Sequence, residues 1–140
     1  MEREVVTVRV HIGAAPETVW DYWTNPKHIV NWNFAADSWQ CPRAENDVRP
    51  GGQFCWRMEA KDGSMGFDYA GTYRMVQPFS RISKSINDGR AVVITLREET
   101  AGTTLLTESF EVEGTNEVEP QRQGWQAILN NFKQYVEANR

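Results

Sequence analysis

The feature that most constrains the fold is a series of strand-like segments between residues 38 and 112, each bounded by turn-forming residues. Short hydrophobic and β-branched runs alternate there with Gly-, Pro- and Asp-rich stretches, a pattern typical of hairpin turns in an antiparallel meander. The turn sequences are RPGG at 49–52, KDGSMG at 61–66, QPFS at 77–80, NDG at 87–89 and TAG at 100–102. The pattern predicts about six consecutive antiparallel strands.

Another strand is predicted before this series, and helices on both sides of it. Residues 3–12 alternate with Val6, Val8, Val10 and Ile12 on one parity, which indicates a half-buried strand. The period then changes, and two short helices are predicted, the first opened by Pro16 and the second by Asn25-Pro26. A longer C-terminal helix is predicted from an apolar face formed by Trp125, Ile128, Leu129, Phe132 and Val136.

The order of these elements predicts an α+β fold in one domain, residues 1–140. A sheet with one apolar face needs a cover, and the C-terminal helix is the element long enough to supply it. We therefore expect a curved antiparallel sheet of about six to seven strands around that helix, with two short helices after the first strand.

Composition excludes several classes of function. The net charge is −4, with acidic and basic residues interspersed, so no basic surface for nucleic acid is predicted. The apolar runs are far shorter than the ~20 residues of a membrane span, and the start resembles no signal peptide, which indicates a cytoplasmic protein without a membrane partner. The cysteines Cys41 and Cys55 share no zinc-binding spacing with His11 or His28. Neither a metal nor a cofactor is expected.

Large side chains concentrate on one parity of two neighbouring predicted strands. Tyr and Trp carry polar groups that need partners when buried, which favours a cavity, although an ordinary packed core stays open as the alternative. Gly71 interrupts this row, and a glycine inside a strand often marks a bend or a close approach. The predicted inward residues are Phe54, Trp56 and Met58, then Phe67, Tyr69, Gly71, Tyr73 and Met75.

Glu108 is the most informative single residue, because it shares the inward parity of Leu106, Phe110 and Val112. An unpaired carboxylate in an apolar interior costs several kcal/mol or becomes protonated, so Glu108 needs a partner. It is interpreted either as a polar anchor or general base in a cavity, or as a glutamate that is paired with an arginine or lies at the solvated end of its strand. His28 lies near the expected cavity mouth and is a second candidate for proton transfer.

Several stretches together resemble the START/SRPBCC helix-grip superfamily, and more closely the homologues of the activator of heat-shock protein 90 ATPase. They are VWDYWTNPKHIVNW at 19–32, DVRPGGQF at 47–54, GTYRMVQPFSRI at 71–82 and GWQAILNNFKQYV at 124–136. The resemblance implies a sheet gripping the last helix, with a cavity closed by the two short helices. Members of the superfamily bind lipids, sterols, polyketides or plant hormones there, and a few catalyse cyclisation or hydration.

Binding of a small apolar or aromatic molecule is the preferred hypothesis, since small-molecule sites combine apolar walls with a few polar groups. A chaperone-regulating or other protein-interaction domain ranks second, and a homodimer stays open. A cyclase or hydratase using Glu108 or His28 ranks third, because no catalytic constellation is present. The predicted ligand-binding residues are Trp32, Trp39, Trp56, Met58, Phe67, Tyr69, Tyr73, Glu108, Phe110, Trp125 and Leu129.

Overall fold

The computed structural model describes residues 4–114 and 116–139. The predicted order of elements is confirmed: a strand, two short helices, a run of strands and a long helix. The elements are β1 (Val5–Ile12), α1 (Pro16–Thr24), α2 (Pro26–Ile29), β2 (Trp39–Gln40), β3 (Ala44–Asn46), β4 (Gln53–Ala60), β5 (Gly66–Gln77), β6 (Arg81–Ile86), β7 (Ala91–Thr100), β8 (Thr103–Glu111) and α3 (Val118–Asn139).

All the strands of the described ranges belong to one antiparallel sheet, in the order β1-β8-β7-β6-β5-β4-β2. The short strand β3 lies off this path and also pairs with β4, so β2 and β3 follow each other along one edge of that strand. The first strand pairs with the last, Val8 opposite Glu108. The prediction of a curved sheet of six to seven strands is therefore confirmed, with a three-residue strand in addition.

The short helices begin as predicted. Pro16 occupies the first turn of α1, where its missing N–H costs no hydrogen bond. Asn25 caps α2, and its side-chain oxygen accepts a hydrogen bond of 3.0 Å from the backbone N–H of Lys27. These helices carry Trp23 and Ile29 into the core.

Helix α3 supplies the other side of the core. Leu129, Phe132 and Val136 on its apolar face are fully buried. Polar contacts hold its flanks, because Lys133 Nζ donates to the carbonyl of His11 at 2.7 Å and Asn131 donates to the carbonyl of Trp32 at 2.8 Å. No helix in the described ranges is long and apolar enough to cross a membrane.

The predicted inward parity holds for β4 and for part of β5. Phe54, Trp56, Met58 and Tyr73 are buried. The prediction for Met75 is wrong, since 42% of it is exposed. A register shift between Tyr73 and Met75 in the β5–β6 pairing places one extra residue in the strand, and such a bulge exchanges the two faces beyond it.

Candidate functional site

A cavity of about 400 Å³ lies between the sheet and α3. Aromatic side chains dominate its walls, and polar side chains gather on part of them. The apolar wall consists of Trp23, Trp32, Trp56, Met58, Phe67, Tyr69, Trp125 and Ile128. The polar lining residues are Asn33, Arg90, Glu108, Glu113 and Gln121.

Most of the residues predicted to bind a ligand lie on this wall. They are Trp32, Trp56, Met58, Phe67, Tyr69, Glu108 and Trp125. Phe67 is 51% exposed although it was expected to face inward, so it forms part of the rim where the cavity meets solvent. Strands β4, β5 and β8 and helix α3 thus contribute to one site.

The other predicted residues support the wall from behind or beside it. The ring of Phe110 stacks on Trp125 with centroids 4.1 Å apart, and Trp39 packs against Phe67 at 6.2 Å. Leu129 belongs to the packed core. Tyr73 also lies away from the wall: its hydroxyl donates to the side-chain oxygen of Asn46, and burial raises the pKa of Tyr73.

Glu108 has an electrostatic partner that sequence reasoning missed. Glu108 is only 4% exposed, and Lys84 on β6 is 1% exposed. The signal was present in the alternation of Ile82, Lys84 and Ile86, which puts the lysine on the same parity as two buried isoleucines. Within the described ranges the two charged groups form no direct ion pair, so they interact across a gap.

The ammonium of Lys84 sits among three aromatic rings. Its Nζ lies 4.4 Å from the ring centroid of Phe54, 4.5 Å from that of Trp56 and 4.8 Å from that of Tyr69. Cation–π attraction at such distances stabilises the charged form of a lysine. We call this arrangement of Phe54, Trp56 and Tyr69 the lysine cage.

Burial shifts the ionisation of both partners. Burial raises the pKa of Glu108 to about 7, and the positive charge of Lys84 opposes this rise. Burial lowers the pKa of Lys84 to about 8, opposed by the charge of Glu108. A carboxyl group with a perturbed pKa on the wall of a cavity, such as that of Glu108, is frequent at functional sites.

Two further polar groups at the cavity have no partner in the described part of the chain. These are the indole Nε1 of Trp56 and the hydroxyl of Tyr69. Trp32 differs, since its Nε1 donates to the carbonyl of Tyr22 at 3.0 Å. Buried polar groups are normally hydrogen-bonded. The two atoms without a partner therefore indicate room for a water molecule or a ligand.

Asn33 adds a polar group to the wall beside Met58. Its side-chain nitrogen lies 3.0 Å from the Sδ of Met58 and 3.8 Å from the Sγ of Cys41. Thioether and thiol sulfurs are weak acceptors, so the amide keeps much of its capacity for hydrogen bonding. Asn33 is therefore available to a polar molecule in the cavity.

His28 does not line the cavity. Its Nδ1 lies 2.7 Å from the hydroxyl of Tyr135, its Nε2 lies 3.6 Å from Asp21, and its ring stacks on Tyr22 at 4.0 Å. These contacts join α1, α2 and α3. The position of His28 fits a link between helices better than proton transfer to a bound molecule.

The cysteines are free: Cys41 is buried and Cys55 half-buried. Burial is the main cause that raises the pKa of each thiol, which keeps both in the unreactive protonated form near neutral pH. The described residues contain no cluster of three His, Cys, Asp or Glu side chains suited to a metal ion.

A curved antiparallel sheet around a C-terminal helix, with a cavity between them, defines the helix-grip class of proteins. Within this class, the chain belongs to the family described as "Activator of Hsp90 ATPase homolog 1-like protein", whose sequence model matches residues 13–137. The resemblance noted from the sequence is thereby confirmed. No match is found among curated proteins.

Solved structures of other proteins have the same fold as this chain. An AHSA1-like protein from Aeromonas hydrophila is 40% identical with a TM-score of 0.90, over 96% of this chain and 93% of that one. Chr148 from Cytophaga hutchinsonii is 48% identical with a TM-score of 0.81, over 96% and 92% of the two chains. CV1439 from Chromobacterium violaceum shares the fold at 22% identity, with a TM-score of 0.85 over 96% and 98%.

Proposed function

We propose that the protein binds a small, largely apolar or aromatic molecule in the cavity between the sheet and α3. The observation that carries the proposal is the combination of aromatic walls with unpaired polar atoms, the Trp56 Nε1 and the Tyr69 hydroxyl. Binding sites for small molecules usually have this composition, apolar surface for affinity and a few polar groups for orientation.

Glu108 supports the same function. The carboxyl group lies on the cavity wall with Lys84 nearby but not in contact, so it is able to bond to a molecule that enters. Keeping two ionisable groups in an interior is costly unless their hydrogen bonds are satisfied. A ligand with a polar end would supply those bonds, which gives the buried pair a role that a packed apolar core would not need.

Native mass spectrometry of protein purified gently from its own host tests this proposal, with the denatured mass as reference. A retained adduct of a few hundred daltons is the expected result. Two Met→Trp variants make the test specific for the cavity. Met58→Trp fills space on the cavity wall and should abolish the adduct, whereas Met75→Trp changes an outward residue and should retain it.

Circular dichroism would verify that both variants are folded. An adduct that persists in folded Met58→Trp would contradict binding in this cavity. A mass without adduct, together with no binding from a library of aromatic compounds, would also contradict it. Copurification of a stoichiometric protein partner would then favour the interaction domain that ranks second from the sequence.

A further inference from the structure

Lys84 contributes to the electrostatics of the cavity although it is not on the wall. Trp56 and Tyr69 belong both to the lysine cage and to the cavity lining. A molecule packed against these rings therefore lies next to a buried ammonium group. The charge of that group acts strongly, because an interior screens charges much less than water does.

Aromatic walls of this kind would otherwise favour a cation. Trp and Tyr rings attract ammonium groups through their negative faces, and boxes of such rings bind alkylated amines in many proteins. In this protein an internal cation already contacts two of the rings. A second cation against the same rings would be repelled by Lys84.

The charges beside the lysine cage give this part of the interior no net preference for an ion. Glu113, also on the cavity wall, is only half-buried and accepts a hydrogen bond of 2.6 Å from the exposed Asn116, so solvent screens its charge. The carboxylate of Glu108 balances Lys84, and the Nε of Arg90 on the wall is 2.7 Å from Asp88, which balances its charge. An anion is attracted by Lys84 but repelled by Glu108, and a cation the reverse, so neither ion recovers the hydration that it loses on entering the cavity. An uncharged molecule avoids this loss and still bonds to the polar atoms, because the Trp56 N–H and the Tyr69 hydroxyl donate to an oxygen.

We propose that Lys84, together with Glu108, determines the charge class of the ligand, so that the cavity selects an uncharged ring compound carrying a hydroxyl or carbonyl oxygen over amines and carboxylates. This inference rests on the proposed ligand-binding function. It assigns Lys84 a role in specificity, and it names the class of molecule that should be retained.

Three naphthalene probes of nearly equal shape test the inference. They are 2-naphthalenemethanol, which is uncharged, 2-naphthalenemethylamine, which is a cation at pH 7.5, and 2-naphthoate, which is an anion. Dissociation constants would be measured by isothermal titration calorimetry at pH 7.5. We expect the wild-type protein to bind the alcohol at least tenfold more tightly than either ion.

Substitution of Lys84 and substitution of Glu108 should have opposite effects on the relative affinities for the amine and the naphthoate. Lys84→Met removes the cation that lowers the pKa of Glu108, so a bound cation is what remains to stabilise the Glu108 carboxylate. The amine should therefore bind with release of the Glu108 proton, and at least tenfold more tightly than the naphthoate. Glu108→Gln removes the anion that supports the charged form of Lys84, so a bound anion is what remains to stabilise the ammonium. The naphthoate should therefore bind with uptake of a proton by Lys84, and at least tenfold more tightly than the amine. In the double variant the two ions should differ by less than threefold. Lys61→Met, at an exposed turn, is the control and should keep the wild-type order.

Lys84→Met leaves a carboxylate unbalanced, and its folding would be verified by circular dichroism. Should it not fold, Glu108→Gln and the double variant provide the same comparison, since they differ only in Lys84. Probes that bind with an order insensitive to Lys84 would overturn the inference and leave the ligand-binding function intact. If no probe binds to any of these proteins, ligand binding of this kind fails, and the inference fails with it.

Discussion

Trp32 and Trp56 are neighbours in the cavity wall, with ring centroids 6.0 Å apart, yet their N–H groups have different surroundings. The Trp32 group donates to the Tyr22 carbonyl, whereas the Trp56 group has no partner in the described ranges. Replacing Trp32 with Phe leaves a carbonyl unpaired, while Trp56→Phe breaks no such bond. We expect the free energy of unfolding to fall about 1 kcal/mol further in Trp32→Phe.

Urea unfolding of the two variants measures this difference. Both substitutions remove a similar area of buried ring, so each is the control for the other. The same variants separate stability from binding, because Trp56→Phe should weaken a ligand that accepts from the indole N–H. Equal stability losses in the two variants would show that the Trp32 hydrogen bond contributes nothing net.

Glu108 should make stability depend on pH in the acidic range. Burial raises its pKa from 4.5 to about 7, so the folded protein holds a proton that the unfolded chain has already lost. The contribution of Glu108 to the free energy of unfolding should therefore be fully present below pH 4.5. This contribution should be lost as the pH rises through 7.

Comparison with Glu108→Gln measures this contribution together with its coupling to Lys84. The difference in the free energy of unfolding between the wild type and the variant should become about 2 kcal/mol less favourable to the wild type from pH 5 to pH 7. Urea unfolding at both pH values gives that difference. A difference independent of pH would mean that the carboxyl group titrates normally in the folded state.

The sequence predicted Glu108 as a buried carboxyl group because alternation alone determines which side of a strand a residue occupies. The same alternation in β6 would have predicted Lys84. Alternation does not predict which strands are neighbours in the sheet. Lys84 and Glu108 lie on β6 and β8, which are separated by β7, and only the order of strands in the sheet brings the two residues together. The local sequence pattern therefore could not predict that Lys84 is the partner of Glu108.

At the scale of single elements, Gly71 in β5 is required by the close approach of β6. A Cβ at this position would lie 2.1 Å from the carbonyl oxygen of Ser85 and 2.8 Å from the Cα of Ile86. Both atoms belong to the backbone, so the strands would have to separate. We expect Gly71→Ala to lower the free energy of unfolding by about 2–3 kcal/mol.

Gly124 provides the matched control within α3. A Cβ there meets nothing within 4 Å, and alanine is the better helix former. Gly124→Ala should raise the free energy of unfolding by about 0.5–1 kcal/mol. Thermal and urea unfolding measure both changes. Similar effects of the two substitutions would contradict a steric role for Gly71.

Strand β5 also marks the limit of prediction from periodicity. The row Tyr69, Gly71 and Tyr73 follows the alternation, and the hydroxyl of Tyr73 then finds Asn46 on β3. Beyond Tyr73 the extra residue in the strand turns Met75 outward. A bulge inserts a residue without changing composition or hydrophobicity, so the count of alternating positions fails at the place where it occurs.

At the scale of the whole molecule, α3 divides the interior into a packed part and an open part. Leu129 is fully buried in the core, whereas its neighbour Ile128 lies on the wall of the cavity. The apolar face predicted from the sequence includes both residues without distinction. Periodicity identifies the buried face of a helix. Whether the sheet contacts every residue of that face depends on the curvature of the sheet, which periodicity does not give.

A pair of substitutions at these neighbouring positions distinguishes the two parts. Ile128→Phe extends a side chain into empty space, so it should raise the free energy of unfolding by about 1 kcal/mol. Leu129→Phe forces extra volume into a close-packed region and should lower it by about 1–3 kcal/mol. Both introduce the same residue, so intrinsic helix propensity contributes similarly.

Binding should respond in the opposite sense to stability. Ile128→Phe occupies part of the cavity and should weaken the uncharged naphthalene probe at least tenfold, whereas folded Leu129→Phe should bind it with nearly unchanged affinity. Calorimetric titration and urea unfolding of the two proteins provide both quantities. A cavity maintained for a ligand predicts that the more stable variant is the weaker binder. An Ile128→Phe variant that is less stable than the wild type and binds the probe as tightly would contradict an open, ligand-binding space beside this position.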